Sequence, residues 1–107
     1  MKLTPNTCLT LHDATIQTIE INFLEGTASL NIRLCDTGTP AATLLAKAFT
    51  DIKIDRLLPW GPSNSINEAE VIGPEGSPQS LQIQMQSGDN IVVKAGWFEL
   101  DRHGSRV

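Results

Sequence analysis

His12 beside Asp13 is the only histidine in this chain with an adjacent carboxylate, so it is the first place to look for chemistry. An imidazole oriented by a carboxylate can serve as a general base or supply half of a metal site. Adjacent residues on a strand point to opposite faces, so Asp13 can orient His12 only through a turn. Asp13 ahead of Ala14-Thr15 favours one by bonding backbone amides. The pair therefore has a structural and a functional reading. No nucleophile accompanies it: Ser63 sits in Gly61-Pro62-Ser63, which lacks a G-x-S-x-G elbow, and Cys35 has no basic neighbour closer than Arg33. Asp51, Asp55, Glu68 and Glu70 do not have calcium-loop spacing, and no glycine motif cradles phosphate. Cys8 and Cys35 lack zinc-ligand spacing. The chain is expected to use no metal and no cofactor, and to be no enzyme.

The other residues that could act are in Pro59-Trp60-Gly61-Pro62-Ser63-Asn64-Ser65-Ile66-Asn67. Two prolines fix φ, a glycine frees it, and a Trp is held between them. Such a loop can present a ring to a partner at small entropic cost, with Ser63, Asn64 and Asn67 as polar contacts. It can equally form a corner where Trp60 plugs the core and its indole N–H meets a carbonyl.

The elements that must carry these residues read as strands. Ile19-Glu20-Ile21-Asn22-Phe23 and Ala28-Ser29-Leu30-Asn31-Ile32-Arg33-Leu34 alternate apolar and polar around Glu25-Gly26. A two-residue turn there sets Phe23 opposite Ala28, Ile21 opposite Leu30 and Ile19 opposite Ile32, with a bulge near Gln17-Thr18. Cys35 then falls opposite Ile16 and Gln17, away from Cys8, so both thiols are expected to be reduced and buried or half-buried. Leu81 to Met85 and Ile91 to Trp97 form a second hairpin. An odd-length loop, read as a three-residue turn with a left-handed Gly88 or Asp89, sets Met85 against Ile91, Ile83 against Val93 and Leu81 against Ala95. Trp97 continues that alternation into the core. Gln82, Gln84 and Gln86 make a polar stripe outside.

Residues 43–49 have the composition of a short helix but are too short to stand alone. They are read as a strand, followed by a bend at Thr50-Asp51 and a further strand over Ile52-Lys53-Ile54, where Asp51 and Asp55 flank Lys53. Residues 65–72 give another strand, and residues 73–78 a surface loop. About six or seven short strands on hairpins, with no long helix, predict an all-β protein: an antiparallel β-sandwich or small barrel.

The 107 residues fit a single domain, with a core over 8–100 and a polar tail over 101–107 expected to fray. The net charge of −4 is mild and the eight Lys and Arg are scattered, which argues against a nucleic-acid partner. No apolar stretch reaches membrane-spanning length, and the first residues lack a signal-peptide core, so no membrane partner and a cytoplasmic location are expected.

Leu11-His12-Asp13-Ala14-Thr15, the segment from Leu58 to Asn67 containing Pro-Trp-Gly-Pro-Ser, and Ile83-Gln84-Met85-Gln86-Ser87-Gly88-Asp89 together resemble a family of small uncharacterised bacterial β-rich proteins. The Leu-His-Asp start is distantly similar to immunity proteins of polymorphic toxin systems, which bind and block a toxin without chemistry. The first resemblance implies a single β-rich domain and carries no catalytic residues over. The second implies a protein partner.

The combined expectation is a bacterial, non-catalytic protein-binding module of immunity type. Its contact residues would be Trp60, Ser63, Asn64, Asn67, His12 and Asp13. The alternatives are a small-ligand binder or hydrolase using His12 and Asp13, or a structural subunit that self-associates through a sheet edge.

Overall fold

Two long strands organise the chain: β4 over Ala41–Ile54 and β7 over Asn90–His103, each of 14 residues. They pair antiparallel along almost their whole length, from Ala41 opposite His103 to Ile54 opposite Ile91. Around them lie β1 (Thr7–Leu9), β2 (Thr15–Asn22), β3 (Thr27–Arg33), β5 (Ile66–Ile72) and β6 (Gln79–Met85). The computed structural model describes all residues except 1, 5, 10, 35–40, 75–77 and 104–107. Cys35, the middle of the 73–78 loop and the end of the expected tail therefore lie outside the described residues.

All seven strands are antiparallel in one open sheet of order β1-β5-β6-β7-β4-β3-β2. The all-β expectation is met, and the described residues contain no helix. The sandwich arises within this single sheet. β3 pairs only with residues 41–47 of β4, whereas β6 pairs with residues 90–95 of β7, so the two groups of strands attach to opposite halves of the long ladder.

Between those halves the buried positions change parity. Ala42, Leu44 and Ala46 are buried on β4, and Phe98 and Leu100 face them on β7. Beyond the bend the buried residues of β7 are Ile91, Val93 and Ala95. The inversion occurs where Ala48 takes φ 55° and β4 bulges between Phe49 and Asp51. A Cβ on Gly96 would lie 3.3 Å from that of Ala48, so the glycine lets the two strands cross closely at the bend. Both halves bury into one cluster that includes Leu30, Leu44, Phe98, Val71, Leu81 and Ile83. Backbone bonds close the far ends: Ile66 donates to Ala14 at 2.7 Å, and Ile16 donates to Asn64 at 3.0 Å.

Residues 43–49 are strand, as expected, but they run on into residues 52–54 as one bulged strand instead of two separate ones. The strands are thus not uniformly short. β7 extends to His103, which pairs with Ala41. Packing also begins before residue 8: Leu3 is buried and its amide donates to Phe98.

Both expected hairpin registers are off by one step of two. Ile21 faces Ala28 and Ile19 faces Leu30, because the first turn has four residues, Phe23 through Gly26. Asn22 Oδ1 accepts from the Glu25 amide at 3.0 Å, Asn22 O accepts from Gly26 at 2.9 Å, and Gly26 takes φ 71°. Phe23 is therefore in the turn and not in the ladder. The expected bulge near Gln17 is present between Ile16 and Thr18. In the second hairpin Ile83 faces Ile91 and Leu81 faces Val93. Its turn, residues 86–88, is a three-residue loop with Gly88 at φ 93°, closed by the Met85 amide on Asp89 O at 2.8 Å.

The parity change also corrects the expectation for Trp97. It is half-buried on the outer surface, where its indole N–H donates to Glu99 at 3.0 Å and Lys2 Nζ lies 5.5 Å from the ring centroid. Phe98 takes the interior position instead and is fully buried. Phe98→Ala should therefore cost roughly 3–5 kcal/mol in urea unfolding, while Trp97→Ala costs distinctly less. The opposite order would contradict the inversion at Gly96.

Candidate functional site

The turn at residues 86–88 is the hub of the site. On one side it holds the loop between β4 and β5; on the other it holds the His12-Asp13 turn. The Asp89 side chain, 4% exposed, secures the loop. Its carboxylate accepts from the Leu57 amide at 2.6 Å, from the Leu58 amide at 2.9 Å and from the Ser87 hydroxyl at 2.7 Å. Those amides converge because Leu58 takes φ 55°, which turns the chain just before Pro59. Burial acts to raise the Asp89 carboxyl. The Ser87 hydroxyl, the Leu57 and Leu58 amides and the Arg56 charge together outweigh it, leaving the pKa below the ordinary aspartate value.

Trp60 stands on this base. Its amide donates to Ser87 O at 2.9 Å, and Gly61 donates back to Leu58 O at 3.0 Å. The indole packs against Gly88: a Cβ there would come within 2.9 Å of Trp60 Cδ2 and of Pro59 Cγ. The turn thus needs glycine both for its left-handed φ and for the ring above it. Even so, Trp60 is 74% exposed and neighbouring Leu57 is 82% exposed. Trp60 is no core plug.

On the other side, Leu11 through Ala14 form a tight turn, with the Ala14 amide donating to Leu11 O at 2.9 Å and Asp13 at φ 69°. This is the turn that the Asp13 position favours, and it brings His12 Nε2 to 3.5 Å from Asp13 Oδ1. His12 Nδ1 donates to the carbonyl of Asn67 at 2.7 Å. Asn67 occupies the bulge of β5 between Ile66 and Glu68, and its side-chain amide donates to Gln84 at 2.8 Å. Gln86 completes the network, donating through Nε2 to Asp13 at 2.5 Å and through its backbone amide to Ser65 O at 2.9 Å. Ser63 Oγ accepts from the Ser65 amide at 3.1 Å, and Asn64 O holds the start of β2.

All six candidate residues therefore flank one turn, but they divide in function. His12, Asp13 and Asn67 belong to a polar network, Asn64 ties the loop to β2, Ser63 caps the Ser65 amide, and Trp60 and Leu57 are the exposed apolar side chains of the loop. Leu57 is not among the residues the sequence points to, and Gln86 reads there only as part of an exposed polar stripe. Asp89 reads there as an ordinary turn residue, and nothing local reveals that Leu57 and Leu58 are its partners across 31 or 32 residues.

Among the described residues, two grooves stand out. One, of about 540 Å³, runs over the outer face of β1, β5, β6 and β7 and includes Glu68, Glu70, Gln82, Gln84, Lys53 and Asp55. The exposed thiol of Cys8 borders it. The other, of about 410 Å³, lies between β2 and the 54–64 segment, over Ile16, Ile19, Ile54, Leu58, Met85 and Ile91. His12 and Asp13 line neither. Among the described residues no three His, Cys, Asp or Glu side chains converge as a metal site, and no helix is long and apolar enough to cross a membrane.

Neither the protein-family models nor the curated proteins give a match to this sequence. Among solved structures, the crystal structure of an uncharacterised protein from Neisseria gonorrhoeae has a similar fold, with a TM-score of 0.65 over 94% of this chain and 96% of that one. The two are 16% identical, so the likeness concerns the fold alone.

The lowered pKa of Asp89 makes the loop acid-sensitive. Asp89 contributes fully to stability above its unfolded pKa, and that contribution disappears as pH falls through the lower folded value. Unfolding followed by Trp fluorescence should show stability dropping below about pH 4 in the wild type. Asp89→Ala should be less stable at neutral pH and lose part of that slope. An unchanged slope would show that Asp89 is not the anchor.

Proposed function

We propose that this protein is a non-catalytic protein-binding module, in the manner of a bacterial immunity protein that blocks a toxin or another protein. The observation that carries the reading is the exposure of Trp60 on a loop that is held rigid from below. An indole that packs no core, yet is fixed by Ser87, Gly88 and the Asp89 anchor, has the character of a binding hot spot. Leu57 extends the apolar contact, while Ser63, Asn64, Asn67, His12 and Asp13 supply polar groups around the same turn. Preorganisation lowers the entropy cost of docking, because the ring is already in place.

A ligand-binding or hydrolytic role for His12 and Asp13 has less support. The ring is 65% exposed and borders neither groove. Its Nδ1 is committed to the backbone carbonyl of Asn67.

The test is affinity capture from lysate of the native host with tagged wild type and Trp60→Ala, followed by titration of the purified partner. Trp60→Ala should lose at least about 2 kcal/mol of binding. Its urea midpoint should stay near that of the wild type, since the ring is largely exposed. A partner bound equally by both proteins, or a variant that unfolds, would defeat the reading.

A further inference from the structure

The segment from Asp55 to Gly61 has the build of a flap. None of its residues belongs to a strand, and among the described residues its bonds to the rest of the chain are few. The Asp55 amide donates to Asn90 O, the Leu57 and Leu58 amides donate to the Asp89 carboxylate, and the Trp60 amide donates to Ser87 O. Leu57 and Trp60 face solvent, so the largest apolar side chains do not hold the segment down. Against these ties stands strain. Leu58 takes φ 55° although it is not glycine and stands before Pro59, where extended backbone is strongly preferred. A chain keeps such a conformation only where its surroundings impose it. The bonds placed to impose it here are those to Asp89, which is buried and lies 31 residues from Leu58 in the sequence.

We propose that Asp89 is the positioning residue of the Trp60 contact: its carboxylate latches a strained flap, residues 55–61, that opens as a unit while the seven-stranded sheet stays closed. The inference rests on the reading of Trp60 as the contact residue. When the latch lets go, Leu58 leaves its left-handed conformation and the indole leaves Gly88. Arg56 and Leu58 line the 410 Å³ groove, so part of its wall moves with the flap. A partner docking on Trp60 does not need to touch Asp89. The fraction of molecules with the latch closed nevertheless scales the affinity that partner shows, because only the closed flap presents the indole in its fixed place.

Amide hydrogen exchange followed by NMR on the full chain, in urea concentrations below the unfolding transition, tests the latch. In the wild type the Leu57, Leu58 and Trp60 amides should exchange at least about tenfold faster than those of Leu44, Ile83 and Val93, with little dependence on urea, as local opening requires. Asp89→Asn keeps the size of the side chain but removes its charge and one acceptor. Leu58→Val leaves Asp89 intact but puts a β-branched residue where φ is positive. Each should abolish protection of the three flap amides while the strand amides remain protected. In a Trp97→Phe background, where Trp60 is the sole indole, each should also lower the emission anisotropy and raise quenching by acrylamide. These readouts need no partner, so a failed latch is told apart from a failed Trp60 contact, which shows only in the binding titration. Flap amides that exchange in the wild type only through global unfolding would overturn the inference. So would protection that survives both substitutions, or strand amides that lose theirs together with the flap.

Discussion

Everything else in this molecule depends on the close crossing of β4 and β7 at Ala48 and Gly96. A flat antiparallel ladder of 14 residues would bury one face along its entire length and leave the other wet. Here the left-handed Ala48, the bulge after Phe49 and the absent side chain at Gly96 invert the ladder midway. Each half can then receive its own set of strands, and the two halves enclose a common core. The inversion costs some conformational strain at Ala48, which the burial of Phe98, Leu44, Val93 and Ala95 offsets many times over.

A second constraint operates at the end of the molecule where the candidate site lies. The loop between β4 and β5 has few apolar anchors of its own, since Leu57 and Trp60 both face solvent. It is held by polar means: a buried carboxylate that gathers two consecutive amides and a hydroxyl, and a backbone bond from Trp60 to the turn below. A buried charge is tolerable only when its hydrogen bonds are satisfied, and Asp89 meets that condition with donors from two parts of the chain. The same turn receives Gln86 contacts to Asp13 and Ser65, so the polar network and the apolar prominence share a single support.

The fold leaves its two apolar surfaces on different elements. Trp60 and Leu57 belong to a loop made rigid by its anchor, whereas Ile21, Phe23 and Leu24 belong to an edge strand and its turn.

The sequence by itself determined the strand class, the turn at Asp13, the bulge near Gln17, the left-handed glycine in the second hairpin and the loop that bears Trp60. Those features follow from local chemistry: alternation of period two, glycine φ, proline φ and the short aspartate side chain. Registers were not decided there, because moving a pairing by two residues keeps every apolar side chain on its face. The Asn22 cap and the left-handed Gly26 selected the longer first turn. The places of Trp97 and Phe98 were beyond local reading too, since alternation continues smoothly through Gly96 and the inversion exists only in the paired strand. Likewise the exposure of Trp60 was settled by Asp89 and Gly88, distant in sequence, whose turn lies under the loop and lifts the indole away from a core already filled by Ile, Leu, Val and Phe98.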